Sequence, residues 1–156
     1  MKMKFNILSC LILVFMLATL SSCEEEIRPV GLDTQQLVAG RFDGTWAKPS
    51  LIKTPENVPA DVFGDMRLTF TTDESGYPAQ FLAKDCPIIF EGLEGKWSVN
   101  GSESDATIKL TGITPVDEFK AVVTGTSLTL TFHMGWENTD TGEQGRGDFK
   151  VTLARQ

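Results

Sequence analysis

Few side chains in this sequence could act as nucleophiles. The chain has three cysteines and a single histidine, His133. Cys86 has no histidine near it in sequence, so the base that would activate a nucleophilic thiol is missing. No serine lies in a recognisable nucleophile motif, and no pair of carboxylates is placed by its spacing. We therefore expect no enzyme activity and no cofactor, and we expect Cys86 to be a buried structural thiol.

The segment 137–147 contains the side chains that come nearest to a metal site. Asn138, Asp140 and Glu143 offer oxygen ligands, but the full pattern of a calcium-binding loop is absent. A single histidine cannot form a metal cage, and the alternation around His133 predicts that it faces solvent. We therefore predict a solvated hairpin loop without metal, and we attribute its glycines to the turn into the last strand.

Cys23 stands at the end of an N-terminal apolar segment. Residues 7–20 form an apolar run of 14 residues behind a basic start, which is too short to span a bilayer but is typical of a signal peptide. Leu20-Ser21-Ser22-Cys23 then resembles the lipobox of bacterial lipoproteins. The resemblance implies that residues 1–22 are a signal peptide, and that Cys23 receives a diacylglyceryl group before its new terminal amine is acylated.

An anchor of this kind is effectively permanent. Each buried methylene of an acyl chain contributes about 0.8 kcal/mol, so two or three chains hold a protein where one chain would let go. The alternatives for Cys23 are a chance cysteine near an ordinary signal-peptidase site and an uncleaved membrane anchor. Nothing after Cys23 continues the apolar run as a spanning helix would.

Glu24, Glu25 and Glu26 follow the lipid site directly. A cysteine followed by an acidic run resembles the surface-export signal of lipoproteins from the Bacteroidetes group. The resemblance implies an outer-membrane lipoprotein whose domain is exposed at the cell surface. The alternatives are a domain that faces the periplasm and an acidic run that is only a solvated spacer.

The composition of the processed chain limits its partners. Removing residues 1–22 leaves 134 residues, and it changes the formal charge from −7 to −9 because Lys2 and Lys4 are lost. This length suits one domain, which we place at 33–156 behind an acidic tether at 23–32. A strongly acidic domain is a poor candidate for nucleic acid. We expect neutral, cationic or apolar partners, and no internal disulfide because only Cys86 remains.

Hydrophobic periodicity predicts an all-β domain. Ile108, Phe119 and Leu128 lie in segments where apolar and polar residues alternate with period two, which is typical of half-buried antiparallel strands. Tight turns at regular spacing favour an up-and-down meander that closes into an eight-stranded barrel. A short helical turn at 33–39, ended by Gly40, precedes it. The predicted strands are 41–48, 66–72, 79–83 continued by 86–91, 95–100, 105–111, 117–124, 127–135 and 147–154.

The first and last predicted strands carry a family resemblance. Gly44 and Trp46 follow the short helical turn, and Arg155 lies on the last strand in phase with Phe149, Val151 and Leu153. This arrangement resembles the lipocalin and calycin barrels, in which a tryptophan plugs the closed end and an arginine from the last strand lies across it. The resemblance implies the architecture but does not identify a ligand.

The predicted connections differ in length at the two ends of the barrel. Long ones, at 49–65, 91–94, 112–116 and 137–147, gather at one rim, which is how a binding mouth is built on a rigid scaffold. The alternative is a solid barrel, because eight strands enclose a space just wide enough for their own side chains. The candidate ligand-binding residues, inward in phase near this rim, are Met66, Phe90, Trp97, Met134 and Trp136.

These observations lead to one functional expectation and two alternatives. We expect a lipid-anchored extracytoplasmic binding protein for a small apolar, aromatic or sugar ligand. A solid barrel would favour a structural or accessory subunit of an outer-membrane protein assembly. An enzyme site assembled from the rim loops is the third possibility.

Overall fold

Helix α1 (Thr34–Phe42) opens the part of the chain that the computed structural model describes, residues 31–156. Asp33 caps it: its Oδ1 accepts a hydrogen bond from the Gln36 N–H at 2.8 Å, and Gln36 Oε1 accepts one from the Asp33 N–H at 2.6 Å. The predicted end at residue 39 was wrong. The helix continues through Gly40 because Phe42 is completely buried against the barrel, and tertiary burial overrides the weak helix propensity of glycine.

Ten strands follow within the described residues. Eight of them close into an antiparallel barrel in the order β1-β10-β9-β8-β6-β5-β3-β2, and β4 pairs only with β7. The eight-stranded up-and-down barrel behind a short helix is therefore confirmed. A 3-10 helix (Ala60–Phe63) lies between the first two strands. The strands are β1 (Gly44–Lys53), β2 (Arg67–Thr72), β3 (Pro78–Lys84), β4 (Phe90–Glu91), β5 (Glu94–Ser102), β6 (Asp105–Thr111), β7 (Thr114–Pro115), β8 (Glu118–Thr124), β9 (Ser127–Glu137) and β10 (Gln144–Arg155).

The β9–β10 hairpin forms the longest paired segment of the barrel. Its register runs without interruption from Gln144 opposite Glu137 to Ala154 opposite Ser127. Closure comes from β1, which pairs with β10 on one side and with β2 on the other. Trp46 on β1 lies opposite Arg155 on β10. The first and last strands thus meet at the end of the barrel where α1 enters.

The first strand differs from its prediction at both ends. It begins at Gly44 instead of 41, because the helix occupies the preceding residues. It also continues to Lys53, although Pro49 lacks an N–H and was expected to begin a loop. Positive φ angles at Lys48 (59°) and Leu51 (47°) accompany register shifts in the pairing with β10. The strand thus passes the proline by bulging instead of ending there.

The segment 86–91 was wrongly predicted to continue strand 79–83. Instead β3 ends at Lys84, and the Cys86 carbonyl accepts hydrogen bonds from the N–H groups of Ile89 and Phe90 at 3.1 and 3.0 Å. Ile89 and Phe90 are buried. Their apolar side chains fold back onto the barrel core, so the segment turns inward instead of extending the sheet.

Aromatic side chains fill the barrel interior. The ring centroids of Phe70 and Phe81 are 5.1 Å apart, and those of Phe81 and Phe90 are 5.4 Å apart. On the opposite wall Phe132 stacks on Phe149 at 5.5 Å. The interior above Trp46, expected as a possible cup, is therefore occupied by side chains, as the small diameter of an eight-stranded barrel favours. The largest fully buried side chains are Trp46, Phe42, Phe63, Phe70, Phe81, Phe90, Phe149, Met66, Leu68, Ile89, Ile108 and Ile113.

Candidate functional site

Trp46 and Arg155 close the end of the barrel beneath α1. Trp46 is completely buried, and its Nε1 donates a hydrogen bond to the Phe42 carbonyl at 2.8 Å. The Arg155 guanidinium carbon lies 4.3 Å from the centroid of the Trp46 ring. Its Nη1 and Nη2 donate to the carbonyls of Asp43 and Arg41 at 2.6 and 2.5 Å. The half-buried cation thus has an aromatic face and two backbone acceptors.

Gly44 is required by the same arrangement. Its φ of 122° lies in a region that L side chains rarely adopt, and an added Cβ would lie 3.1 Å from Arg155 Nη1. A side chain there would be strained by this φ angle and would press on the guanidinium that lies over the Trp46 ring. Gly44, Trp46 and Arg155 therefore act together in closing this end, and no cleft for a ligand is needed to explain them.

Three of the candidate binding residues lie away from the rim surface. Met66 and Phe90 are completely buried, and Phe90 packs edge-on to Phe81 inside the barrel. Trp97 contacts Phe42 of α1 at a centroid distance of 6.2 Å, and its Nε1 donates to the Thr71 carbonyl at 2.8 Å. The inward phase was correct for these residues. Their position along the barrel was not, because Met66 and Phe90 are completely buried and Trp97 packs against the helix.

Met134 and Trp136 do meet at the rim, where they line an open cleft of about 390 Å³. The cleft lies between the 138–143 turn, the segment before the 3-10 helix and the β4–β7 ribbon, which comprises β4 and β7. We call it the rim cleft. Its lining residues are Asn57, Val58, Pro59, Val62, Ile88, Ile89, Pro115, Met134, Gly135, Trp136, Glu137, Asn138, Thr139, Asp140 and Phe149.

The Trp136 ring is seated against the glycine opposite it on β10. Trp136 and Gly145 are cross-strand partners, and an added Cβ on Gly145 would lie 2.7 Å from Trp136 Cζ2. Gly147 makes room in the same way for Pro55, whose Cγ would be 2.4 Å from an added Cβ. These glycines were attributed to the turn. They lie inside β10 and make space for two rings at the rim.

Trp136 Nε1 is a buried donor that has no hydrogen-bond partner among the described residues. A buried N–H without an acceptor costs about 1–3 kcal/mol. The position of this indole is therefore held by ring packing alone, in contrast to Trp46 and Trp97, whose Nε1 atoms both donate to carbonyls. Trp136 is the tryptophan of the described chain with the weakest polar anchoring.

The 138–143 turn uses its polar side chains to hold itself. Asn138 Oδ1 accepts hydrogen bonds from the N–H groups of Asp140 and Thr141 at 3.0 and 3.2 Å. Glu143 Oε1 accepts one from Asn57 Nδ2 at 3.0 Å, which ties the turn to the β1–β2 connection. These oxygens therefore organise one wall of the rim cleft. Within residues 31–156 no group of three or more acidic, histidine or cysteine side chains is arranged to hold a metal ion.

The charges around the rim cleft are of one sign. Its ionisable lining residues are Glu137 and Asp140, and its lining contains no lysine, arginine or histidine. Most of the other lining residues are apolar. The cleft thus combines an apolar floor with acidic side chains at its edge.

Cys86 and His133 lie outside the rim cleft. Cys86 is buried, and burial, with a smaller contribution from the Asp85 carboxylate, raises the pKa of its thiol to about 12. Such a thiol is a poor nucleophile at neutral pH because the thiolate is the reactive form. His133 is exposed, and its Nδ1 lies 2.9 Å from Asp148 Oδ1 on the neighbouring strand. Neither residue meets a partner that would make it catalytic.

Sequence reasoning missed most of the apolar lining of the rim cleft. Val58, Pro59 and Val62 belong to a connection read as a loop, and Ile88 to a segment read as a strand. The available signal was the presence of several apolar residues in connections that a solvated loop would not need. A search for period-two alternation does not detect these apolar residues, because they do not lie on strands.

Comparison with known proteins gives no match: no family model, no curated protein and no solved structure corresponds to this chain. The predicted signal peptide, Cys23 and the run from Glu24 to Glu26 lie outside the described residues. Among residues 31–156 no helix combines the length and the apolar character that a membrane span requires.

Proposed function

We propose that this chain is a lipid-anchored, extracytoplasmic, non-enzymatic binding protein with a lipocalin-like barrel. Its ligand is a small apolar, aromatic or sugar molecule, held in the rim cleft instead of inside the barrel. The lipocalin-like reading is supported by the barrel topology together with Trp46 and Arg155 at its closed end. The anchor is supported by the sequence around Cys23, and placement outside the outer membrane by the glutamates that follow it.

The observation that carries the binding proposal is the apolar floor of the rim cleft. Ile88 is 60% exposed although it borders a well-packed core, and Met134, Trp136 and Phe149 lie beside it. Apolar side chains that converge in a concave site with a few polar groups are typical of ligand sites. A tryptophan at such a site offers a large rigid face at a low entropy cost.

The experiment is a titration of the purified lipoprotein, in phosphatidylcholine nanodiscs, with 2-phenylethanol as a neutral aromatic probe. Binding should change the tryptophan emission, because Trp136 lines the cleft. Ile88→Ala should weaken binding severalfold. Leu51→Ala is the matched control, since Leu51 is 77% exposed but lies outside the cleft lining. Equal affinities of the Ile88 and Leu51 variants, or no saturable binding beyond that of empty nanodiscs, would refute the proposal.

The filled interior favours a second candidate, an accessory subunit of an outer-membrane protein assembly. A solid barrel encloses no ligand, and Ile88 and Leu93, 60% and 49% exposed, leave apolar surface near the open rim. Exposed apolar surface of this kind is typical of protein contacts. A photo-crosslinking amino acid at position 88 should then capture one defined membrane protein in intact cells, whereas the same group at position 51 should not. Capture at neither position contradicts this candidate.

A further inference from the structure

We propose that the rim cleft selects organic cations, namely ligands in which an aromatic or apolar body carries a protonated amine. This inference rests on the proposed function, because it names the ligand class of the same site. It follows from three properties of the cleft: an apolar floor, acidic residues that form no ion pair with another described residue, and a lining without lysine, arginine or histidine.

The floor determines the body of the ligand. Ile88, Met134 and Trp136 provide an aliphatic, a thioether and an aromatic surface on neighbouring elements. A volume of about 390 Å³ accommodates a single ring with a short side chain. Burying the ring of a ligand here removes apolar surface from water on both sides, which favours binding by about 25 cal/mol per Å².

The acidic side chains determine the charge of the ligand. Glu137 and Asp140 line the cleft, and neither forms an ion pair with any other described residue. Acids close to them have partners: Glu143 accepts from Asn57, and Asp148 pairs with His133. Arg146 lies beside Gly135 on the adjacent strand but is not itself among the lining residues. A cationic group at the cleft edge would therefore meet two acidic residues that no lining cation neutralises.

Several hydrogen-bond donors at and beside the cleft are already used. The N–H groups of Asp140 and Thr141 donate to Asn138 Oδ1, and Asn57 Nδ2 donates to Glu143. Trp136 Nε1 is buried. An anionic ligand would meet like charges at the cleft, which oppose its binding. The formal charge of the whole chain, −7, acts in the same direction.

Three probes that share a phenyl ring and a chain of similar length separate charge from shape. They are 2-phenylethylamine, 2-phenylethanol and 3-phenylpropanoate, titrated calorimetrically into the full-length lipoprotein in phosphatidylcholine nanodiscs. Because exposed ion pairs are individually weak, we expect the amine to bind about fivefold tighter than the alcohol. We expect the carboxylate to bind more weakly than the alcohol, and we expect added salt to reduce the differences.

Variants connect this order to the two acids. The double change Glu137→Gln with Asp140→Asn should bring the affinity of the amine to within about twofold of that of the alcohol. Glu74→Gln, which removes an exposed acid from the turn at the opposite end of the barrel, should leave the preference intact. An equal or reversed order of the three probes overturns the cation inference while leaving the binding site in place. Binding of none of them overturns the proposed function itself.

Discussion

Arg155 joins the chain terminus to the residues that precede the first strand. Its guanidinium lies over Trp46 and donates to the carbonyls of Asp43 and Arg41. Lysine cannot reproduce the planar fork that reaches two carbonyls at once. Arg155→Lys should therefore lower the free energy of unfolding by about 1–3 kcal/mol, and Trp46→Ala by about 3–5 kcal/mol as a large-to-small core change. Urea unfolding followed by circular dichroism measures both.

The matched control for Arg155 is Arg146 on the same strand, whose side chain lies on the outer face beside Gly135. Arg146→Lys should change the free energy of unfolding by no more than about 0.5 kcal/mol, as expected for a surface position. A similar loss at positions 146 and 155 would show that the closed-end contacts add little to stability.

Cys86 predicts a pH dependence of stability with a definite sign. Burial raises the pKa of its thiol from 9.0 to about 12, so the folded chain holds the proton more tightly than the unfolded chain. Its contribution to stability is fully present below pH 9 and is lost as the pH rises from 9 toward 12. The free energy of unfolding of the natural protein should thus fall more steeply above pH 9 than that of Cys86→Ala.

A thiol reagent at pH 8 tests the same burial directly. An aromatic disulfide reagent should leave Cys86 unmodified in the folded protein and should react with it completely in urea, as peptide mass analysis would report. Rapid modification of the folded protein would show that the thiol is accessible and that its pKa is not raised.

Strand β10 shapes the rim through the glycine that faces Trp136. The Trp136 ring lies against Gly145, and an added Cβ on this glycine would lie only 2.7 Å from Trp136 Cζ2. Gly145→Ala should therefore expel the indole toward solvent, shift its emission to longer wavelength and lower the free energy of unfolding by about 1–3 kcal/mol. Fluorescence of the protein before and during urea unfolding measures both effects.

Gly135 on β9 provides the control for this prediction. It faces Arg146 across the same hairpin, and its added Cβ would make only ordinary contacts at 3.8 Å. Gly135→Ala should leave the emission unchanged. If Gly145→Ala also leaves the tryptophan emission unchanged, the Trp136 ring does not lie against Gly145.

The elements that could be predicted from the sequence are those whose side chains alternate between core and solvent. Strand β6 was predicted with its observed bounds, 105–111, because Ala106, Ile108 and Leu110 are buried and their neighbours are not. Residues 86–91 misled the same reasoning, since Ile89 and Phe90 are apolar for a different reason, burial beneath the rim. Periodicity reports that a residue is buried on a strand, but it cannot show that a connection folds inward.

At the scale of the whole molecule, the same limit explains the partial prediction of the site. Long connections were expected to leave an open mouth, and Met134 and Trp136 do lie there. Phe63, from the 3-10 helix, packs instead against Phe132 and Phe149 inside the barrel. Tertiary packing decides how much interior volume remains between the strands. The alternation of apolar and polar residues along one strand carries no information about that packing. The open cleft is thereby confined to the outer part of the rim.

The position of the whole molecule in the cell depends, in our proposal, on a few residues ahead of the barrel. The charge next to the lipid site distinguishes this tether from a neutral spacer. Replacing Glu24, Glu25 and Glu26 with alanine should therefore leave the barrel on the periplasmic side of the outer membrane. External protease should then degrade less of the protein in intact cells. Intact mass should still show residues 23–156 with acyl groups, whereas Cys23→Ala should leave the precursor unprocessed. Equal protease access before and after the alanine changes would mean that the glutamates only solvate the tether.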